Sequence, residues 1–137
     1  MDRRTFIGAF AGGLLAAPRL ADGQRADPRD AAFLQGLREL GYVEGRNIRV
    51  ELRFAEGRPE RLPELVGELV RLKVDVLVVG ATIGAREARK ATTTIPIVFA
   101  GASDPVAGGI VTSLARPGGN VTGVSLATGA GFAAKWL

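Results

Sequence analysis

The chain of 137 residues contains neither cysteine nor histidine. Without cysteine there is no disulfide scaffold, no thiol nucleophile and no thiolate metal ligand. Without histidine the commonest general base and the commonest zinc ligand are missing as well. Both absences count against hydrolytic and metal-dependent chemistry, and no cofactor or metal is expected from the composition.

The chain also lacks a concentrated run of one charge. Its formal net charge is +4, and arginines alternate with glutamates, as in the EGRPER segment at 56–61. A nucleic-acid-binding surface would instead collect its cations on one face. We therefore interpret the charges as a mixed, solvated surface and expect no nucleic acid among the partners.

The first 23 residues have the pattern of an export signal. The pair Arg3-Arg4 precedes an uncharged apolar stretch from Gly8 to Pro18, and Ala21 and Gly23 have the small side chains that signal peptidase recognises. Paired arginines are typical of the twin-arginine route, and an ordinary secretory signal is the alternative. The apolar stretch is shorter than the roughly twenty residues that span a bilayer. We predict a signal peptide at 1–23, cleaved after Gly23, and a periplasmic or extracytoplasmic location.

Helical and extended patterns alternate after residue 24. Apolar spacing predicts helices at 28–40, 59–72, 85–91 and 106–114, the start of another at 131–137, and strands at 48–54, 74–79, 97–100 and 121–125. The run at 74–79 has a single polar residue, Asp75, as in strands buried on both faces. The fold class predicted is α/β, a parallel sheet flanked by helices.

In open parallel sheets, ligands bind beyond the carboxyl ends of the strands. The loops there are Gly80–Gly84, Gly101–Pro105 and Gly123–Ala127. The first lacks the lysine and the spacing of a phosphate-binding loop. Two side chains in these loops have alternative roles: Thr82 either caps the next helix or contacts ligand, and Asp104 either caps a helix or receives the ammonium group of an amino acid.

Five segments together resemble one known family, the ABC transporter substrate-binding proteins related to tryptophan- and tyrosine-type uptake. They are QGLRELGYVEGRNI at 35–48, AEGRPERL at 55–62, TIPIV at 94–98, DPV at 104–106 and RPGGNVTG at 116–123. The resemblance implies a type I periplasmic-binding-protein fold, in which two α/β lobes hold a small solute in the cleft between them. It also implies delivery of that solute to a membrane permease with its ATPase, without cofactor or catalysis.

The resemblance carries ligand contacts over to six positions: Thr82, Ile83, Asp104, Gly123, Val124 and Ser125. It also marks two departures. Members of the family begin with a strand and a ligand loop before the first helix, and here only residues 24–27, which include Arg25-Ala26-Asp27, separate that helix from the predicted signal. The sequence also stops at Leu137, just inside the helix that should lead toward the second lobe. We therefore expect residues 24–137 to form a partial N-terminal lobe, with the first strand and the second lobe missing.

Two other classes of protein are compatible with such a sheet. A small doubly wound α/β enzyme or a flavin- or nucleotide-binding domain needs a nucleophile–base pair or a cofactor loop, and the sequence has neither histidine, cysteine nor a GxSxG motif. A ligand-sensing regulator of similar lobe fold needs an N-terminal pair of DNA-binding helices, where this chain has the export pattern.

Overall fold

The computed structural model describes residues 5–8, 28–80 and 82–125. The strands are β1 Thr5–Gly8, β2 Ile48–Glu51, β3 Val76–Val79, β4 Ile97–Ala102 and β5 Val121–Ser125. They form one parallel sheet in the order β2-β1-β3-β4-β5. The helices are α1 Pro28–Glu39, α2 Leu62–Arg71, preceded by a 3₁₀ turn at Pro59–Arg61, and α3 Thr82–Ala91. The predicted parallel α/β fold is confirmed.

The centre of the sheet corrects one expectation. The backbone of Thr5–Gly8 pairs with β2 along four residues and with β3 through Ile7 and Gly8. The prediction of a missing first strand is therefore wrong, because a β-branched and aromatic tetrapeptide that was assigned wholly to the export signal fills that place in the ladder. Cleavage after Gly23 would remove this strand, so one molecule cannot have both features. The export signal stays a prediction.

The core lies between the sheet and the helices α2 and α3. Alternate side chains of β3, β4 and β5 point to this side, among them Leu77, Ile97 and Val121, which share a register. Val66 and Leu69 of α2 are fully buried against them. Each such side chain contributes about 1.5–3 kcal/mol relative to exposure, and this packing fixes α3 across β3 and β4.

The helix α1 ends where the sequence predicts. Gly41 has φ 89°, and the N–H groups of Gly41 and Tyr42 donate to the carbonyls of Arg38 and Leu37 at 3.0 and 2.9 Å. This is the Schellman arrangement that a C-terminal glycine permits. It turns the chain back toward β2.

The predicted helix at 106–114 is wrong. The chain after β4 makes one hydrogen-bonded turn, in which the N–H of Gly108 donates to the carbonyl of Asp104 at 2.9 Å. Gly109 then takes φ 69°, a left-handed conformation that stops a helix. The N–H groups of Ile110 and Val111 both return to the carbonyl of Pro105, which turns these two side chains into the core.

The loop before β5 has a structural role. Gly118 and Gly119 both have positive φ, and Nδ2 of Asn120 donates to the carbonyl of Ile95 at 2.7 Å and to that of Thr92 at 3.4 Å. The asparagine thereby ties this loop to the one before β4, at the amino edge of the sheet. Within the ranges that the structure describes, no helix is long and apolar enough to cross a membrane.

Candidate functional site

The candidate site lies at the carboxyl edge of the sheet, where β3, β4 and β5 end side by side. From β3 the chain enters α3 at Thr82, from β4 it passes to Asp104, and β5 ends at Ser125. These three strands are consecutive in the sheet. Their ends form the edge at which parallel α/β sheets bind ligands.

Thr82 is the first residue of α3, which begins three residues earlier than predicted. Among the described residues, the Thr82 hydroxyl has no hydrogen-bond partner. The N–H groups of the first turn have no carbonyl acceptor within the helix, and they favour an anionic group. The next side chain, Ile83, is 42% exposed at the same edge.

Asp104 follows an irregularity in β4. The register between β4 and β5 shifts between Ala100 and Ala102, and Gly101 there has φ 90°. Such bulges redirect the following side chains and often lie next to binding sites. Oδ1 of Asp104 accepts a hydrogen bond from the N–H of Ala107 at 2.9 Å. The side chain thus caps a turn rather than the expected helix.

The side chain of Asp104 is accessible at the edge. The residue is exposed, and it forms no ion pair with a cation of the described ranges. Its neighbour Val106 has 43% of its surface exposed. The turn therefore presents a negative group beside an apolar one.

Ser125 joins β5 to the same loop. Its Oγ donates to the carbonyl of Ala102 at 3.2 Å, two residues before Asp104. Val124 is 64% exposed, and by strand alternation it lies on the face opposite to the buried Val121. The end of β5 is thus fixed to the end of β4 by a side chain as well as by the backbone ladder.

Gly123 has a packing reason to be glycine. A Cβ placed there would lie 2.1 Å from the carbonyl oxygen of Phe99 and 2.5 Å from its Cγ. Phe99 is the register partner of Gly123 on β4. This close approach accounts for the glycine without any ligand, although its backbone remains near the edge.

The structure brings the segments that carry Thr82 and Asp104 together through a residue that the sequence analysis did not consider, Gly108. Its Cα hydrogens face the Thr82 methyl group, since a Cβ at Gly108 would lie 2.9 Å from Thr82 Cγ2. The glycine pair at 108–109 was the available signal, and it was interpreted only as part of a helix. The described residues contain no group of three or more side chains suited to holding a metal ion.

This architecture defines a class of protein: a parallel α/β lobe with three polar strand ends at its ligand edge. Residues 22–130 match the model of the family described as ABC transporter substrate binding protein. The chain belongs to that family, as the resemblance implied.

Particular relatives are consistent with this assignment. A tyrosine-binding protein of Clostridioides difficile (strain R20291) is 33% identical over 107 residues, which are 78% of this chain and 31% of the relative. The solved structure of an ABC domain in complex with L-Trp from Streptococcus pneumonia has a TM-score of 0.74 and 30% identity, covering 89% of this chain and 38% of that one.

A ligand-free, open substrate-binding protein with adhesive properties from Clostridium difficile has a TM-score of 0.77 and 29% identity. The match covers 93% of this chain and 40% of that protein. The chain thus spans roughly a third of the length of its curated relative and about two fifths of these solved structures.

Proposed function

We propose that this chain contributes one lobe of the extracytoplasmic solute-binding component of an ABC importer, with residues 24–137 as a partial N-terminal lobe. It captures a small solute and delivers it to the membrane permease and its ATPase, and it makes or breaks no bond. The observation that carries the proposal is the convergence of three polar strand ends, those of β3, β4 and β5, at one sheet edge. Family membership favours this function over the alternative of a doubly wound enzyme.

The ligand that best suits this edge is an amino acid with an aromatic side chain. Its ammonium group pairs with the Asp104 carboxylate, and its carboxylate accepts hydrogen bonds from the N–H groups at the start of α3 and near Ser125. The exposed Ile83 and Val106 offer apolar surface for the side chain. The tyrosine-binding and L-Trp-bound relatives support this choice of ligand.

The proposed location follows from the family and from the export pattern of residues 1–23. Solute capture for an importer takes place outside the cytoplasm, where the paired arginines and the small residues before Gln24 would direct the chain. The same location suits a chain without cysteine, because it has no thiol to oxidise there.

The test is a titration of the isotope-labelled chain with L-Trp and L-Tyr, followed by the amide shifts of Thr82, Asp104 and Ser125. The key variant is Asp104→Asn, which keeps an oxygen for the N–H of Ala107 and removes the charge. The matched control is Glu60→Gln, the same change at an exposed residue of the 3₁₀ turn.

We expect Asp104→Asn to weaken L-Trp binding by roughly tenfold to a hundredfold, the equivalent of about 1.5–3 kcal/mol for one charged hydrogen bond. Indole-3-propionate lacks the ammonium group and keeps the carboxylate, so its affinity should not fall in Asp104→Asn, and the loss of a like charge should raise it slightly. Equal L-Trp affinity in both proteins would leave Asp104 as a turn cap only. Failure of the folded chain to bind either amino acid would contradict the proposal that this sheet edge holds the ligand without a second lobe.

A further inference from the structure

Gly108 lies where the two ligand-edge segments touch. A Cβ at this position would be 2.9 Å from Cγ2 of Thr82 and 2.9 Å from the carbonyl oxygen of Asp104. Gly108 is not among the glycines with positive φ, so its backbone conformation is open to other residues. Glycine is therefore needed here because the space between the two segments is too small for a side chain.

The turn that contains Gly108 is itself held together by Asp104. The backbone N–H of Gly108 donates to the Asp104 carbonyl at 2.9 Å, and the Asp104 carboxylate accepts from the N–H of Ala107, also at 2.9 Å. Any displacement of Gly108 is thus transmitted to the aspartate.

This turn is fastened to α3 at two points. One is the contact between Gly108 and the Thr82 methyl group at the start of the helix. The other is a hydrogen bond from the guanidinium group of Arg89, two turns further along α3, to the carbonyl of Gly109. A wider spacing between Gly108 and Thr82 would tilt the turn about the hydrogen bond between Arg89 and Gly109. This tilt would move Asp104 away from the start of α3.

We propose that Gly108 is a positioning residue: its missing side chain sets the distance between the Asp104 carboxylate and the N-terminus of α3. The proposal rests on the proposed function, because these two groups are the ones assigned to the ammonium and carboxylate ends of an amino acid. Those ends are joined through a single carbon atom, so the ligand tolerates little change in the spacing of its two partners.

The size of the effect follows from contact distances. Carbon atoms in contact are normally about 3.5–4.0 Å apart, so a methyl group at 2.9 Å from Thr82 Cγ2 requires the turn and the Thr82 side chain to separate by about 0.6–1.1 Å. Binding groups must be held to about 0.5 Å of their working positions. We therefore expect Gly108→Ala to weaken L-Trp binding about tenfold or more.

The experiment is a double-mutant cycle on the whole chain. Gly108→Ala adds the methyl group, Thr82→Ser removes Cγ2 while keeping the hydroxyl, and the double variant combines them. The matched control is Gly36→Ala in α1, where a Cβ meets nothing within 4 Å. Each protein is titrated with L-Trp and with indole-3-propionate, and its fold is checked by amide spectra and urea unfolding.

We expect Gly108→Ala to reduce L-Trp affinity more than indole-3-propionate affinity, and Thr82→Ser to restore part of the loss in the double variant. Gly36→Ala should bind as the parent does. Equal losses for both probes, or no recovery in the double variant, would overturn the positioning role and leave Gly108 as a residue of general packing.

Failure of this proposal is distinguishable from failure of the proposed function. If Asp104→Asn weakens L-Trp binding and Gly108→Ala does not, the proposed ligand site is supported and the positioning role of Gly108 is contradicted. If no amino acid binds, the contact is still testable, since the parent should show a nuclear Overhauser effect between the Thr82 methyl group and the Gly108 Cα hydrogens. Absence of that effect in the folded chain overturns the proposal without any ligand.

Discussion

Replacing Gly123 by alanine should destabilise the chain more than a typical glycine exchange within a strand. In the structure, the added Cβ would lie 2.1 Å from the carbonyl oxygen of Phe99. Carbon and oxygen atoms in close contact are normally about 3.3 Å apart. The end of β5 must therefore retreat from β4 by about 1.2 Å, the difference between the two values.

A retreat of this size breaks the ladder locally. Hydrogen bonds near 2.9 Å would stretch to about 4 Å, beyond the bonding range. Losing one or two of them costs about 0.5–1.5 kcal/mol each, and overpacking against the Phe99 ring costs about 1–3 kcal/mol. We expect the free energy of unfolding to fall by about 2–4 kcal/mol, a large part of the 5–15 kcal/mol of an ordinary domain.

The assay is urea unfolding followed by circular dichroism, with Gly36→Ala as the control for the same chemical exchange. Gly36 is in α1, where a Cβ meets nothing within 4 Å, so this exchange should raise stability by about 0.4–1 kcal/mol through the unfolded chain. A second variant, Phe99→Leu, separates the effect of the contact with the Phe99 ring from that of the contact with the Phe99 carbonyl oxygen. Because the shortest contact involves the Phe99 carbonyl, combining Phe99→Leu with Gly123→Ala should not restore the loss.

An unchanged urea midpoint for Gly123→Ala would refute the argument, because the β4–β5 spacing would then tolerate a side chain. Full recovery of stability when Phe99→Leu is combined with Gly123→Ala would refute only the claim that the clash with the Phe99 carbonyl causes the loss. In the first case Gly123 would return to the set of residues whose identity a ligand explains. In the second, packing against the Phe99 ring would still account for the glycine.

Two further predictions concern the loop before β5 and the first residues. Asn120→Ala should lower the free energy of unfolding by about 1–3 kcal/mol, since it leaves the carbonyls of Ile95 and Thr92 without the amide donor; an unchanged urea midpoint would show that water replaces the amide. A reporter fused to residues 1–25 should be exported and the complete chain should reappear with Gln24 at its N-terminus, as read by intact mass. An inactive reporter, or a chain that keeps Thr5–Gly8 after export, would contradict the cleaved signal, and export that survives Arg3→Lys with Arg4→Lys would indicate the ordinary secretory route.

Local patterns predicted most elements correctly. Period-two alternation and β-branched runs placed β2, β3, β4 and β5, and apolar spacing with Gly41 as the cap placed α1. Boundaries were less reliable: β2 ends at Glu51 rather than continuing to Phe54, and α3 starts at Thr82. Ends of elements depend on which residues find partners across the sheet, and this is not a local property.

Two errors have the same physical origin. The turn after β4 has the apolar residues of a helix, yet Ile110 and Val111 enter the core from an irregular segment after the left-handed Gly109. The strand at Thr5–Gly8 was hidden by a stronger pattern, that of an export signal. In the first case a core to fill outweighs the local helical preference. In the second, the β-branched and aromatic residues favour a strand, and only the tertiary structure shows the ladder that it completes.

For the candidate site, the amino-acid sequence alone determined the fold class, the family and the strand ends at which polar residues would gather. The fold class and the strand ends needed only periodicity, loop chemistry and the rule for parallel sheets, which are properties of neighbouring residues. The family came from the five segments that resemble it. The tertiary structure decided the spacing: the tight approach of β5 to Phe99, the bulge at Gly101, and Gly108 against Thr82. Segments far apart in the chain approach closely at these places because glycine has no side chain to keep them apart. A sequence pattern does not show how near two backbones will come.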